Sequence, residues 1–542
     1  MSFPFAYQIR WAWSLTKGYR WGLLLYFTLE VFAIALSLLF IFYSKRAIDQ
    51  AVHAVPGSIR TTLVLVVGSV LLGIIVKIFS TKYSETIKLR MGIDLQYQLI
   101  SGQMRAVWKF MKDWHTGDLM VRIQTDSAEV VQMLSQTFLS LLLVLIRLGA
   151  SFGFLWLMDP MLALVIVAIS PLFLFSKLYF RKMRRISKEV KEAESNFGHV
   201  MQENLRLRLL TRALGLIPAR EKTLQVAQAD IYRLKMDQQN FSIGSQTMMK
   251  FTVNGGYLLT FIWGVYRLDA GQISFGTMAA FLQLVGRIQT PIMQTMAFVP
   301  SFVRFRTAVD RVLELFADEK EVFTKQANLH KVETLSFDDV SFRYKDNTVI
   351  DALHVKLYAG EPTAIVGSSG RGKTTLIRLL LALISPQNGA IRLHVEGRTE
   401  ILSTKHRTNF AYVPQGKSLF SGTIRDNLLL ANEEAEDSRL EHAIYLACAE
   451  FVFALPQGLD TVVGESGFGL SEGQAQRIAI ARAMMRDAPI WLLDEITSAL
   501  DSETADELVG RLVAAGKDKI ILFVTHDLRL AEKCHQIVYM QA

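Results

Sequence analysis

The sequence predicts two domains of different fold class, an all-α polytopic membrane domain and, after it, an α/β domain. The first half holds long apolar runs, whereas the second half alternates short β-branched strands with helical stretches, the pattern of a mostly parallel sheet. The chain of 542 residues is also too long for one hydrophobic core. We place the first domain at 1–316, a charged linker at 317–334 and the second domain at 335–542.

Six apolar runs are predicted to cross a membrane, because a bilayer core requires about 20 apolar residues in a helix. The runs lie at about 21–43, 62–80, 138–158, 161–180, 247–268 and 276–300. The last two contain polar residues and carry the weakest signal, so four spans plus a helical soluble domain is an alternative interpretation. The preferred architecture is six transmembrane helices with long cytoplasmic extensions.

The placement of basic residues predicts the orientation of the chain. The connections after the second and fourth runs are long, polar and basic, as in the cluster Arg181, Lys182, Arg184 and Arg185. A net charge of +9 would suit nucleic-acid binding, but basic residues beside apolar runs are typical of the cytoplasmic side of a membrane. We therefore expect an integral membrane protein with a cytoplasmic N-terminus and second domain, and no nucleic-acid partner.

A glycine-rich loop in the second half predicts phosphate binding. It follows the strand 363–366 and precedes a helix, which is the context that a phosphate-binding loop requires. Its backbone N–H groups can surround phosphates, Lys373 can reach the β- and γ-phosphates, and the Thr374 hydroxyl is placed for Mg²⁺. The nucleotide-binding residues predicted here are Gly367, Ser368, Ser369, Gly370, Arg371, Gly372, Lys373, Thr374 and Thr375.

Polar side chains follow three further apolar strands. Asp494 and Glu495 end the strand that begins at Ile490, and we predict that Asp494 holds Mg²⁺ and Glu495 polarises the attacking water. His526 follows the strand 520–524, and Gln415 follows Val413-Pro414. Ligands of open α/β sheets bind at the carboxyl ends of the strands, so we expect these groups to meet the phosphate loop.

With these motifs, the region from about Leu335 to the end resembles the nucleotide-binding domain of ATP-binding cassette (ABC) transporters. The resemblance implies that Tyr344, in Ser-Phe-Arg-Tyr, stacks on adenine and that Gly367–Thr375 is the Walker A loop. It implies that Gln415 is the Q-loop glutamine and a further Mg²⁺ ligand, and that His526 is the switch histidine. Glu495, His526 and Gln415 are then the expected catalytic residues.

The resemblance also implies that the working unit is a dimer. Ser471, Gly473 and Gln474, in Leu-Ser-Glu-Gly-Gln, are similar to the signature motif, which acts on the ATP of the partner subunit, and Asp501 matches the D-loop. The sequence departs from the family at Glu472, where glycine is usual, and we expect a working but slower site. Because the chain has one cassette, a second copy or a homologous half-transporter must supply the other.

The first half is similar to the six-helix membrane domain of exporters in this family. Thr116–Arg122 with Thr125-Asp126 is expected to form the first coupling segment, and Leu205–Gly215 the second. The implied function is export or flipping of an amphipathic lipid, drug or peptide, driven by ATP hydrolysis with Mg²⁺, in contact with membrane lipids. A bacterial inner membrane is the expected location. The alternatives are an ATP-gated channel or regulatory subunit, and one half of a heterodimeric exporter.

Polar residues inside the predicted spans suggest a substrate cavity. Gln283, Arg287, Thr290 and Gln294 recur at helical spacing and share one face of the sixth run. Arg147 lies in the third run and Glu30 in the first. Charges inside a membrane are costly and usually face a bundle interior or a watery cavity, which here predicts positive character and a possible anionic substrate. The alternative is that these side chains pair with one another, Glu30 with an arginine, or only pack helices.

Overall fold

The computed structural model describes residues 4–108, 114, 116–169, 176–321, 325–344, 347–368, 370–416, 418–464, 467 and 469–540, with only the backbone for some helical residues. Contacts group the chain into two compact units. The membrane unit comprises Met1–Met104 and Trp114–Ala317, and the nucleotide unit comprises Arg105–Asp113 and Asp318–Ala542.

The described part of the membrane unit is entirely helical. Its helices are α1 Phe5–Leu15, α2 Arg20–Ala51, α3 Ile59–Met104, α4 Gly117–Met158, α5 Pro160–Ile169, α6 Ser176–Arg206, α7 Arg208–Ala213, α8 Ile217–Asp269 and α9 Phe275–Ala317. Helix α4 passes through two π-helical turns, Arg122–Asp126 and Met133–Thr137. The 53 residues of α8 extend about 80 Å at 1.5 Å per residue, so the predicted fifth run is the second half of one continuous helix.

Three helices of the described chain are long and apolar enough to cross a membrane, namely α2, α3 and α4. They contain the first three predicted runs. The fourth run is only partly described, because α5 ends at Ile169 and residues 170–175 lie outside the described part. Six spans remain a prediction.

A buried aspartate joins the third and fourth predicted runs. Asp159 interrupts the helix and accepts hydrogen bonds from the backbone N–H groups of Met161 (3.0 Å) and Leu162 (3.1 Å), which caps α5. It also pairs with Arg267 of α8, 3.0 Å away. The short Asp-Pro connection therefore holds three helices together.

Ion pairs hold the segment expected to be the first coupling segment against α9 of the membrane unit. Arg122 of α4 donates to Asp118 and to Glu314 of α9, each at 2.7 Å. Arg311 of α9 lies 2.7 Å from Asp118 and 3.1 Å from Asp126. These ion pairs fix the segment to α9, and its role as a coupling segment stays a prediction. The second expected segment contains the short helix α7.

Two main sheets build the nucleotide unit. Its strands are β1 Thr334–Tyr344, β2 Asn347–Tyr358, β3 Thr363–Val366, β4 Asn388–Val395, β5 Arg398–Ile401, β6 Phe410–Val413, β7 Gly422–Thr423, β8 Val462–Val463, β9 Ile490–Asp494, β10 Ile520–Thr525 and β11 Gln536–Tyr539. An antiparallel sheet has the order β2-β1-β4-β5, and a parallel sheet has the order β11-β3-β10-β9-β6. Strands β3, β9 and β10 are buried along their whole length, as expected for a parallel sheet covered on both faces.

Helices cover the parallel sheet. They are α10 Lys373–Leu380, α11 Ile424–Leu429, α12 Asp437–Leu446, α13 Glu472–Met484, α14 Ser502–Ala515 and α15 Leu528–Ala531. One apolar core lies among α11–α14 and the sheet, and another lies between the two sheets and α10. Because β3, β6, β9 and β10 are parallel, their carboxyl ends meet at one edge.

Candidate functional site

The loop after β3 has the backbone that a phosphate cradle needs. Gly370 and Gly372 adopt φ values of +86° and +88°, a left-handed region that glycine enters without the penalty of a Cβ. A Cβ on Gly372 would also lie 3.0 Å from Val349. The loop leads directly into α10, which begins at Lys373, so the positive end of that helix faces the loop.

The predicted residues converge on one cleft of about 690 Å³. It is lined by Tyr344, Val349, Ser368, Gly370, Gly372, Lys373, Thr374, Thr375, Gln415, Asp494, Glu495 and His526. The structure thus brings together groups that follow β3, β6, β9 and β10. Ser369 lies outside the described residues, and Gly367 and Arg371 belong to the same loop.

The Glu495 carboxylate is the centre of the polar groups in the cleft. Its Oε1 lies 3.4 Å from Lys373 Nζ and 3.3 Å from His526 Nδ1, and its Oε2 accepts a 2.6 Å hydrogen bond from Gln415. Its side chain is 13% exposed, whereas that of His526 is 64% exposed. The catalytic glutamate predicted from sequence is therefore in direct contact with the predicted phosphate lysine, Q-loop glutamine and switch histidine.

Asp494 is the more deeply buried of the two carboxyl groups. Burial and, to a smaller extent, the negative charge of Glu495 raise its pKa to about 6, against the opposing positive charge of Lys373. The cleft therefore stabilises added positive charge beside Asp494.

An arginine that the sequence analysis missed holds the predicted adenine-stacking side chain. Arg378, on α10, donates a 3.0 Å hydrogen bond to the Tyr344 hydroxyl. Its guanidinium also lies over the Trp108 ring, 5.1 Å from the centroid. Trp108 belongs to the chain segment between α3 and α4, where Ala106 pairs with Lys320. Arginine on a helix gives no sequence signal for this role, because surface arginines are common.

The signature residues lie at the start of α13 and not among the residues that line the cleft. Ser471 caps the helix, since its hydroxyl accepts from the Gln474 N–H at 3.2 Å and Gln474 bonds back to the Ser471 N–H at 3.0 Å. A Cβ on Gly473 would lie 2.6 Å from the carbonyl oxygen of Ala499, so glycine is required there. Glu472 is exposed in this chain.

Asp501 has a clear structural role at the start of α14. Its carboxylate accepts from the Thr504 N–H and hydroxyl, both at 2.9 Å, and these bonds lower its pKa. The D-loop aspartate is thus a helix cap in the isolated chain.

The two arginines predicted to line a substrate cavity are near each other in the membrane unit. Arg147, on α4, is close enough to Arg287, on α9, for their charges to interact. Glu30 is not their partner, because it pairs with Lys77 and Ser80 at 2.7 and 2.6 Å. Gln283 lies on the same helix as Arg287, and the side chain of Gln294 lies outside the described part.

The fold and cleft define a P-loop nucleotide hydrolase joined to a helical membrane domain. Two family models match the chain, "ABC transporter transmembrane region" at residues 23–292 and "ABC transporter" at residues 350–498. The "ATP-dependent lipid A-core flippase" of Vibrio parahaemolyticus is 30% identical over 448 residues, covering 78% of this chain and 74% of that protein. The chain belongs to the ABC transporters.

Two further similarities extend over almost the whole chain. The "Toxin RTX-I translocation ATP-binding protein" of Actinobacillus pleuropneumoniae is 25% identical, with 95% of this chain and 73% of that protein covered. The structure of a bacterial Atm1-family ABC exporter with ATP bound matches this chain with a TM-score of 0.79 at 22% identity. The match covers 96% of this chain and 94% of that chain, so the two share the same fold. The predicted fold class, half-transporter organisation and ATP-driven export activity are confirmed.

Proposed function

We propose that this ABC half-transporter exports or flips an amphipathic, anionic substrate and works as a homodimer with two complete ATP sites. The observation that carries the ATPase part is the contact of Glu495 with Lys373, Gln415 and His526 in one cleft. A dead or purely regulatory site would not need this catalytic set. The same observation favours a pump over an ATP-gated channel, because a gate requires binding more than turnover.

Mg²⁺ fits the donor groups of the cleft. Thr374, Gln415 and Asp494 offer hydroxyl, amide and carboxylate oxygens, the hard ligands that Mg²⁺ prefers alongside substrate phosphates. The raised pKa of Asp494 supports this, because a bound cation would offset the buried negative charge. When bound, Mg²⁺ neutralises charge on the β- and γ-phosphates.

Three side chains of this protein are assigned separate roles in ATP hydrolysis. Lys373 holds the γ-phosphate, Glu495 orients and polarises the attacking water, and His526 contacts the phosphate from the end of β10, the strand between β3 and β9. Ser471 and Gly473 of a second copy complete each site, which explains why they lie away from the cleft of their own chain. Because ATP contacts both copies only when they close, binding shifts the population toward the closed dimer.

Arg147 and Arg287 support an anionic substrate. Two neighbouring guanidinium groups on membrane helices repel each other, and among the described residues neither has a carboxylate partner. A phosphate or carboxylate head group would relieve this repulsion by charge-assisted hydrogen bonds. The name of the Vibrio relative, a lipid A-core flippase, is consistent with such a substrate, and a bacterial inner membrane is the proposed location.

Arg287→Ala tests this assignment. In vesicles that contain the purified chain alone, anionic amphiphiles are expected to stimulate Mg-ATP hydrolysis, and the substitution should raise the half-stimulating concentration about tenfold through loss of a charged hydrogen bond. Arg233→Ala, which removes an exposed arginine of α8, is the matched control. Equal stimulation curves for wild type and Arg287→Ala would contradict the cavity assignment.

A further inference from the structure

The backbone of the catalytic glutamate is strained. Glu495 has φ +48°, in the left-handed region that is unfavourable for a non-glycine residue. A residue stays in such a conformation only where its surroundings fix it. The groups that fix Glu495 therefore decide where its carboxylate points.

Three residues hold this backbone through four hydrogen bonds. The Glu495 N–H donates to the carbonyl of Val524 in β10 at 2.8 Å. The Glu495 carbonyl accepts from the Ser498 N–H at 3.3 Å, from the Ser498 hydroxyl at 3.0 Å and from the side-chain amide of Gln476 at 2.8 Å. Val524 lies in β10, and Ser498 lies in the turn that follows β9, three residues after Glu495. Gln476, in contrast, lies on the helix α13.

Within the described part of the chain, the side-chain amide of Gln476 makes one hydrogen bond, to the Glu495 carbonyl. Gln476 is 2% exposed and lies between Ala475 and Ile478, which are themselves buried. A buried amide without a partner would be costly, so the bond to Glu495 is worth more here than on the surface. Since α13 begins at Glu472, directly after Ser471, the amide links the signature helix to the catalytic glutamate of the same chain.

We propose that Gln476 is a positioning residue that holds Glu495 in its strained, hydrolysis-ready conformation and connects it to the signature helix. The proposal rests on the proposed ATPase function and on the dimer in which the signature contacts the partner's ATP. A shift of α13 on contact with that ATP then moves the Glu495 backbone. Through Gln476, the geometry of Glu495 at one ATP site then depends on whether ATP occupies the other site.

Gln476→Met keeps the volume of the side chain and removes the donor. The full chain in lipid vesicles is expected to lose about tenfold in kcat, with KM for ATP changed less than twofold, because Gln476 does not line the cleft. Asn409→Leu is the matched control, since Asn409 is also a buried amide that donates to backbone carbonyls, those of Ala327 and His406. Its kcat should stay within about twofold of wild type, although its unfolding temperature falls.

A double substitution separates positioning from general destabilisation. In the Glu495→Gln background, Gln476→Met should cause no further loss of residual single-turnover hydrolysis, because no catalytic carboxylate remains to be oriented. Gln476→Leu, of different shape, should reproduce both results. Equal kcat losses for Gln476→Met and Asn409→Leu, or a full tenfold loss in the Glu495→Gln background, would overturn the proposal. A wild-type chain that does not hydrolyse ATP would overturn the proposed function first and this inference with it.

Discussion

Glu495→Gln is expected to reduce Mg-ATP hydrolysis about 10²- to 10⁴-fold, the usual contribution of a positioned general base. The amide keeps the shape of the side chain and its place among Lys373, Gln415 and His526. It cannot polarise a water molecule as the carboxylate does. ATP binding should persist or tighten, because one negative charge beside the phosphates disappears.

Steady-state phosphate release and equilibrium binding of labelled ATP measure the two effects separately. Glu503→Gln is the matched control, since it removes an exposed carboxylate in the first turn of α14. The rate of phosphate release and the ATP affinity of Glu503→Gln should equal those of wild type. Hydrolysis by Glu495→Gln within threefold of wild type would mean that another group activates the water.

Lys373→Met is expected to weaken ATP binding about 10- to 100-fold and to lower kcat about 10²- to 10³-fold. Lys373 places a positive charge in the cleft. Its Nζ lies 2.8 Å from the Gly367 carbonyl oxygen and 3.4 Å from the Glu495 carboxylate. Methionine fills the same space but cannot neutralise the phosphates. The buried Asp494 and the half-buried Glu495 then face the nucleotide without this compensating charge.

Isothermal titration with a non-hydrolysable ATP analogue measures the binding part. Lys517→Met removes an exposed lysine after α14 and should leave the affinity unchanged. An affinity of Lys373→Met equal to that of wild type would show that the loop backbone alone binds the phosphates.

The nucleotide site was predictable from sequence because strand ends converge. Once β3, β6, β9 and β10 are parallel neighbours, side chains after each strand must meet at one edge, and the cleft contains Lys373, Gln415, Glu495 and His526 as expected. The signature residues do not line the cleft of their own chain, and their action on the ATP of a partner subunit stays a prediction. The order of the strands explains why the cleft residues meet, and the position of the signature residues at the start of α13 explains why they lie outside the cleft.

Contacts between distant elements were not predictable. Gln476 looks like one polar residue in a helix, and only the fold shows that its amide reaches the Glu495 carbonyl. The ion pairs of Arg122 and Arg311 were not predicted, because they depend on the packing of α4 against α9. The proximity of Arg147 to Arg287 and the pairing of Glu30 with Lys77 likewise depend on helix rotation, which hydropathy does not specify.

The central claim is that this chain alone couples ATP hydrolysis to movement of an amphipathic anion. The most direct measurement uses vesicles that contain only this chain, with ATPase domains outward and a fluorescent anionic lipid in the outer leaflet. Mg-ATP is expected to move the label to the inner leaflet, where an added reductant cannot quench it, and Glu495→Gln should not move it. Robust hydrolysis without protection of labelled lipids, drugs or peptides, together with ATP-dependent ion currents, would contradict the exporter account and indicate a gated channel.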